Sequence, residues 1–205
     1  MTAKPNTEDS GSTANVRNVV VYSCAILAMP IIGEQVGESL QIWRLLELIE
    51  AVPAIVCAFF VSRMPRPAKA AMHIGARAAC LIPLLLLVVL GIGGLPVRDL
   101  AFDQTLALIF ANAIAIGVTE ELTFRYSLHR LWSRYGLGLY VVLSSLIFGL
   151  AHYPGGVTAI GITTVLGAIF GLARIAGTPV LILIVIHGLI DLPEMTVRFA
   201  PMPSM

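Results

Sequence analysis

Charged residues are unevenly spaced along the chain, and nearly uncharged stretches occupy 18–33, 46–62, 78–97, 104–120, 135–152, 156–173 and 178–194. A membrane-crossing helix needs about 20 mostly apolar residues, so the pattern predicts seven spans. Only 78–97 reaches that length unaided. The seventh has just twelve uncharged residues, 175–186, before His187 and Asp191, so the late helices must take polar residues into the membrane. Around 41–50 the pattern is mixed, with Arg44, Glu47 and Glu50 among apolar residues, which predicts an interfacial amphipathic lead-in to the second span. Residues 1–17 are polar and aperiodic. They predict a disordered cytoplasmic tail ahead of a single membrane-embedded domain, 18–205, whose motif core covers 104–194.

Composition supports this reading. Of 205 residues, 58% are hydrophobic and 12% charged, with a mean hydropathy of +0.90, against about 25% charged in an average soluble domain. The fold class expected is an all-α polytopic bundle of transmembrane helices. Thirteen Lys and Arg against twelve Asp and Glu supply no basic field for a phosphate backbone, which excludes a nucleic-acid partner. Cys24, Cys57 and Cys80 are odd in number and sit in apolar runs without CxxC spacing, so they read as small buried residues.

Position makes the charges informative. With seven spans, the side that holds the N-terminus collects Lys4, Arg17, Arg63, Arg66, Lys69, Arg77, Arg125, Arg130, Arg134 and Arg174, ten in all, against Arg44, Arg98 and Arg198 on the other. By the positive-inside rule the N-terminus is cytoplasmic. The expected location is multi-pass in the plasma (inner) membrane. His73 and His129 neighbour basic loops and are expected to face solvent, and Arg174 to anchor a cytoplasmic turn. Gly167-x-x-x-Gly171, with Gly161 and Thr164, predicts a close-packing face on the sixth span, which leaves open a helix-mediated oligomer.

Three groups of polar residues fall where a membrane disfavours them. Glu120-Glu121-x-x-x-Arg125 follows the fourth apolar run, at its expected cytoplasmic end. Glu121 and Arg125 are i, i+4 with the acid first, an order that favours pairing. Glu120 is rotated about 100° away on an α-helix and needs another partner. Phe148-x-x-x-His152 ends the fifth run, with the ring one turn before the imidazole and placed to wall it from lipid. His187-x-x-x-Asp191 lies inside the seventh, so Asp191 is placed to orient His187. Intramembrane charge costs about 2.5–3.5 kcal/mol per residue on the insertion scale, so such groups turn inward toward one another. Convergence of the three helices would give a pocket suited to proton chemistry on water.

In that order on successive hydrophobic helices, the three motifs resemble the CPBP family of CAAX proteases and bacteriocin-processing enzymes, formerly grouped as abortive-infection proteins. The resemblance covers residues 120–191. It implies an intramembrane endopeptidase in which Glu120 activates water with His152 beside it, while His187 and Asp191 polarise the scissile carbonyl. Glu121, Arg125 and Phe148 would support them. Many members carry Asn where Asp191 stands; an ionised Asp accepts hydrogen bonds, so here it either holds His187 as the donor or is protonated and donates itself. HExxH is absent and no metal is expected, with a zinc ion on Glu120, His152 and His187 as the open alternative. The substrate implied is a membrane-associated peptide or protein cut near the cytoplasmic face. Competing classes are a proton-coupled transporter, since Asp, Glu and His chains also mark proton paths, and an inactive scaffold or immunity protein that binds a partner helix through Gly167 and Gly171.

Overall fold

The computed structural model of the chain describes Val21 and residues 46–63, 74–93 and 104–199. Every regular element among the described residues is helical. In chain order they are α1 (Leu46–Ser62), α2 (Ile74–Gly93), α3 (Gln104–Glu120), a π-helical segment (Glu121–Ser127), α4 (Leu128–Trp132), α5 (Leu137–Ala151), α6 (Gly156–Ile175) and α7 (Val180–Phe199), with short 3-10 helices at Ser133–Tyr135 and Tyr153–Gly155. Four stretches are long and apolar enough to cross a membrane: Gly75–Gly93, Leu106–Trp132, Tyr153–Ile175 and Val180–Val197. Two apolar helices are shorter, Ala51–Ser62 and Leu137–Ala151. The protein is an all-α, multi-span membrane helix bundle.

Helices occupy six of the seven stretches expected to span; the first, 18–33, lies outside the described residues, as do the tail 1–17, His73 and Cys24. Residues 46–50 begin α1, and 41–45, the rest of the expected lead-in, lie outside the described residues. The fourth span also differs. It does not stop at Glu120 but continues through the π-helical segment into α4, because Glu121 and Arg125 are buried and paired inside the bundle. Large apolar side chains such as Phe59, Leu86, Val89, Leu146 and Val165 are exposed, as helices that meet lipid require. Pro53, Pro83 and Pro193 lie within helices; neighbouring helices and local adjustment satisfy the freed backbone groups in such a bundle.

The bundle has two distinguishable ends. At one, Arg77 donates through Nε to the Ala176 carbonyl, and the turn between α6 and α7 passes through Gly177 at φ +90°, with the Arg77 guanidinium against it. A side chain there would be strained and would strike that guanidinium. Arg130, Arg134 and Arg174 belong to this end as well, at or near the termini of α4 and α6. At the other end Gly91 faces Pro193, so α2 and α7 run parallel. There too α5 gives way to α6, with Gly149 against Ile160 and Thr164.

Three apolar clusters tie the helices together. Leu84, Val88, Phe170, Ala173, Leu183 and Ile186 join α2, α6 and α7. Ile109 and Ala113 meet Leu192 and Met195 between α3 and α7. Phe124, Leu128, Tyr140, Val141 and Phe148 fasten the long fourth span to α5. The small-residue face of α6 is used inside the protein: Gly167 packs on Ser145 and Phe148, and Gly171 on Val141. It is therefore occupied by α5 and not free for a partner helix, whereas Gly161 has nothing beside it.

The closest approach of a glycine to the backbone of another helix lies between α3 and α7. A Cβ on Gly117 would stand 2.5 Å from the Ile184 carbonyl oxygen, and one on Gly188 would stand 2.7 Å from that of Ala113. Both obstacles are backbone, so the helices would have to part. Gly188→Ala is expected to lower stability by about 1–3 kcal/mol through overpacking, while Gly161→Ala leaves it unchanged. Unfolding of the two variants in detergent by SDS titration checks this.

Candidate active site

The π-helical segment starts at Glu121, directly after the last residue of α3, with the Leu128 N–H bonded to the Thr123 carbonyl five residues back. Such segments are rare, and their wider turn reduces the rotation between successive residues below the 100° of an α-helix. This corrects the expectation that Glu120 and Glu121 point to separate partners. Both reach the same imidazole. His187 Nδ1 lies 2.8 Å from Glu121 Oε1 in a hydrogen bond, and its Nε2 lies 2.9 Å from Glu120 Oε2. The close crossing at Gly117 and Gly188, adjacent in sequence to these groups, brings the two helices within that reach.

The orienting partner of His187 is therefore Glu121. The carboxylate accepts from Nδ1–H, which fixes the ring and directs Nε2 toward Glu120. Asp191, expected in that role, stands 3.5 Å from Nε2 and makes a looser ion pair on the opposite nitrogen. Phe170 lies against the His187 ring with centroids 4.9 Å apart.

Glu121 also pairs with Arg125, at 3.7 Å, and both side chains are 0% exposed. That burial places the pair inside the bundle. The guanidinium donates from Nη2 to the Gly167 carbonyl at 3.3 Å and lies among three rings, with Cζ 4.5 Å from the centroid of Phe148, 5.3 Å from Phe170 and 5.5 Å from Phe124. Aromatic faces stabilise a cation that has lost its water.

His152 approaches from the third helix. Its Nδ1 donates to the Phe148 carbonyl at 2.8 Å, so in the neutral ring Nε2 carries the lone pair and faces Glu120 Oε1 across 3.8 Å. That gap exceeds a direct hydrogen bond and is of a width that a bridging water closes. The Phe148 ring, nearly fully buried, lies 4.8 Å from the His152 ring and 5.9 Å from that of His187. The three motifs thus converge: Glu120 stands between two imidazoles, and Glu121, Arg125, Phe148 and Asp191 surround them. Exposure grades across the group. The His152 side chain is 34% exposed and those of Glu120 and Asp191 are 21%, against 7% for His187.

Residues 102–193 match the family model for the Type II CAAX prenyl endopeptidase, Rce1-like. This segment resembles the Rce1-like family. No curated protein and no solved structure matches it. All seven grouped side chains lie within the matched segment, and α1 and α2 precede it. Among the described residues no three His, Cys, Asp or Glu are grouped so as to hold a metal ion.

Other expectations are revised. His129 is buried, with its ring 5.0 Å from Tyr140, because the fourth span continues past it. Arg174 does more than anchor a turn: Nε donates to the Arg125 carbonyl at 3.1 Å and Nη1 to that of Thr178 at 3.2 Å. Sequence reasoning passed over Gly117, Gly188 and Phe170. The signals were present, a glycine three before Glu120, one directly after His187, and a ring three after Gly167.

Removing one member of a buried ion pair strands the other. Arg125→Met is expected to destabilise the fold by about 3–5 kcal/mol, and Glu121→Gln in the same chain to recover part of that loss. Detergent unfolding of the double-mutant cycle measures it. Equal losses in single and double variants would leave the guanidinium a packing role alone.

Proposed function

We propose that this Rce1-like protein is an intramembrane endopeptidase that hydrolyses peptide bonds of membrane-associated peptides or proteins, with Glu120 as the base that activates water. The observation that carries the reading is the placing of Glu120, 21% exposed, with His152 Nε2 at 3.8 Å on one oxygen and His187 Nε2 at 2.9 Å on the other. Amide hydrolysis needs a deprotonated water, a stabilised oxyanion and an acid for the leaving amine.

A water held between Glu120 Oε1 and His152 Nε2 gives a proton to Glu120 as its oxygen adds to the carbonyl carbon. The oxyanion that forms is met by His187 Nε2–H, with Nδ1–H held by Glu121. Asp191 holds the same imidazole from the side. The C–N bond then breaks as the proton on Glu120 passes to the amine nitrogen, leaving a carboxylate terminus and a free amine. In the same reading the bundle has seven spans in the plasma membrane, the first at 18–33, and the N-terminus shares the side of the arginine-rich end.

Glu120→Gln keeps the shape and removes the base; it is expected to lower peptide cleavage by purified protein about 10²–10⁴-fold, with comparable losses for His152→Ala and His187→Ala. Comparison of new protein termini in membranes that carry wild type or Glu120→Gln supplies the substrates. Wild-type turnover by Glu120→Gln would refute the assignment. Proton flux through proteoliposomes that fails in Glu120→Gln, with no cleavage by either protein, would favour a transporter.

A further inference from the structure

A change of helical register leaves a backbone group over, and counting locates it. The Leu128 N–H bonds to the Thr123 carbonyl five residues back, and the Ser133 N–H to the His129 carbonyl four residues back. Between these two bonds lie five carbonyls, those of residues 124–128, and four N–H groups, those of residues 129–132. One carbonyl of the five is therefore left without a helical donor. The stretch belongs to the apolar span Leu106–Trp132, and a bilayer offers no water to a backbone group left over there.

Two side chains from outside the span supply donors at this place. Tyr140 of α5, fully buried, donates its hydroxyl to the Phe124 carbonyl at 3.3 Å. Arg174 of α6 donates from Nε to the Arg125 carbonyl at 3.1 Å. These are the first two of the five carbonyls. Arg174 also donates from Nη1 to the carbonyl of Thr178, two residues before α7 begins at Val180, at 3.2 Å. One guanidinium thus joins the segment that carries the two glutamates to the turn from which the helix of His187 departs.

Helical hydrogen bonds do not by themselves fix where a wide turn sits. Moved along the span, it leaves a different carbonyl over but the same number, so the choice falls to donors outside the helix. The place matters for the glutamates. With the π-helical segment beginning at Glu121, the two carboxylates reach His187 at 2.9 and 2.8 Å. On an α-helix they would stand about 100° apart.

We infer that Tyr140 and Arg174 are positioning residues that pin the π-helical turn, and through it hold Glu121 on Nδ1 and Glu120 at Nε2 of His187. They act through the backbone carbonyls of Phe124 and Arg125, on the far side of the segment from the reacting groups in sequence. Their effect on rate rests on the hydrolase reading; their effect on the imidazole does not.

The His187 ring itself reports the outcome. Full-length protein labelled with nitrogen-15 at histidine is placed in detergent micelles, and the His187 signals are assigned by their absence from His187→Gln. In the wild type the Nδ1–H bonded to Glu121 is expected as a slowly exchanging downfield proton. Tyr140→Phe removes one hydroxyl and keeps the ring, and Arg174→Met removes both donors at similar length. Each is expected to broaden that proton signal and the double variant to lose it, whereas Leu84→Ala, a truncation in the cluster of α2, α6 and α7, keeps it. Glu121→Gln also loses it, and adding Tyr140→Phe then changes nothing further in the His187 signals. In a cleavage assay kcat of the single variants is expected to fall about 10–10²-fold at unchanged KM.

An unchanged Nδ1–H signal in Tyr140→Phe and Arg174→Met would overturn the inference, whatever stability they lose. So would its absence from the wild type, or an equal loss in Leu84→Ala. If Arg174→Met does not fold, Tyr140→Phe decides alone. Loss of the signal in these variants, with no cleavage by any form including wild type, would sink the hydrolase reading and leave the pinning role standing.

Discussion

The contact between two stretches of bare backbone, at Gly117 on α3 and Gly188 on α7, is the constraint from which the site follows. Glu120 and Glu121 can touch His187 only if the helix axes approach closer than side chains at the crossing would permit. In a bilayer no hydrophobic force pushes helices together, since lipid is as apolar as leucine, so close packing and polar contacts must hold them. Here the two kinds of contact occupy neighbouring residues. The glycines let the carboxylates reach the imidazole, and the polar pairs reward the approach.

The polar group as a whole is expensive for a membrane protein, and the structure meets the cost in different ways for different members. Arg125 and Glu121 exchange charge, and the rings of Phe124, Phe148 and Phe170 surround the guanidinium while the Gly167 carbonyl takes one of its protons. The carbonyl is reachable because Gly167 brings α6 tightly against α5. His187 has a carboxylate at each nitrogen. Glu120 and Asp191 have less complete pairing and are partly exposed, a combination suited to groups that exchange partners during a reaction.

Much of this was legible because helical spacing is geometry. The apolar runs locate α1, α2, α3, α5, α6 and α7, and the one-turn spacing in Phe148 and His152, or His187 and Asp191, places each pair on one face. Convergence of the three motifs follows from the cost of burying each alone. What escaped depended on departures from that regularity. The π-helical segment turned Glu121 toward His187, which no α-helical wheel shows, so the orienting role went to Asp191 on spacing alone. A charged pair read as a helix terminus hid the continuation of the fourth span to Trp132, and with it the burial of His129. Gly117 and Gly188 looked like two more glycines in apolar runs, because their importance is relational and neither carries it without the other.

The network also divides along the direction of the bundle. Its sealed half, Arg125 with Glu121 and three rings, has fixed partners and both charged side chains fully buried, which holds His187 at one angle. Its open half, Glu120 with His152 and Asp191, has the longer distances and the exposed edges. His187 belongs to both, with Nδ1 bound to the sealed half and Nε2 turned to the open one. An imidazole anchored in this way presents its second nitrogen at a set position while the groups facing it remain free to exchange protons. In the proposed hydrolase reading the division gives the two adjacent glutamates different work: Glu121 immobilises one side of the ring so that the other can react.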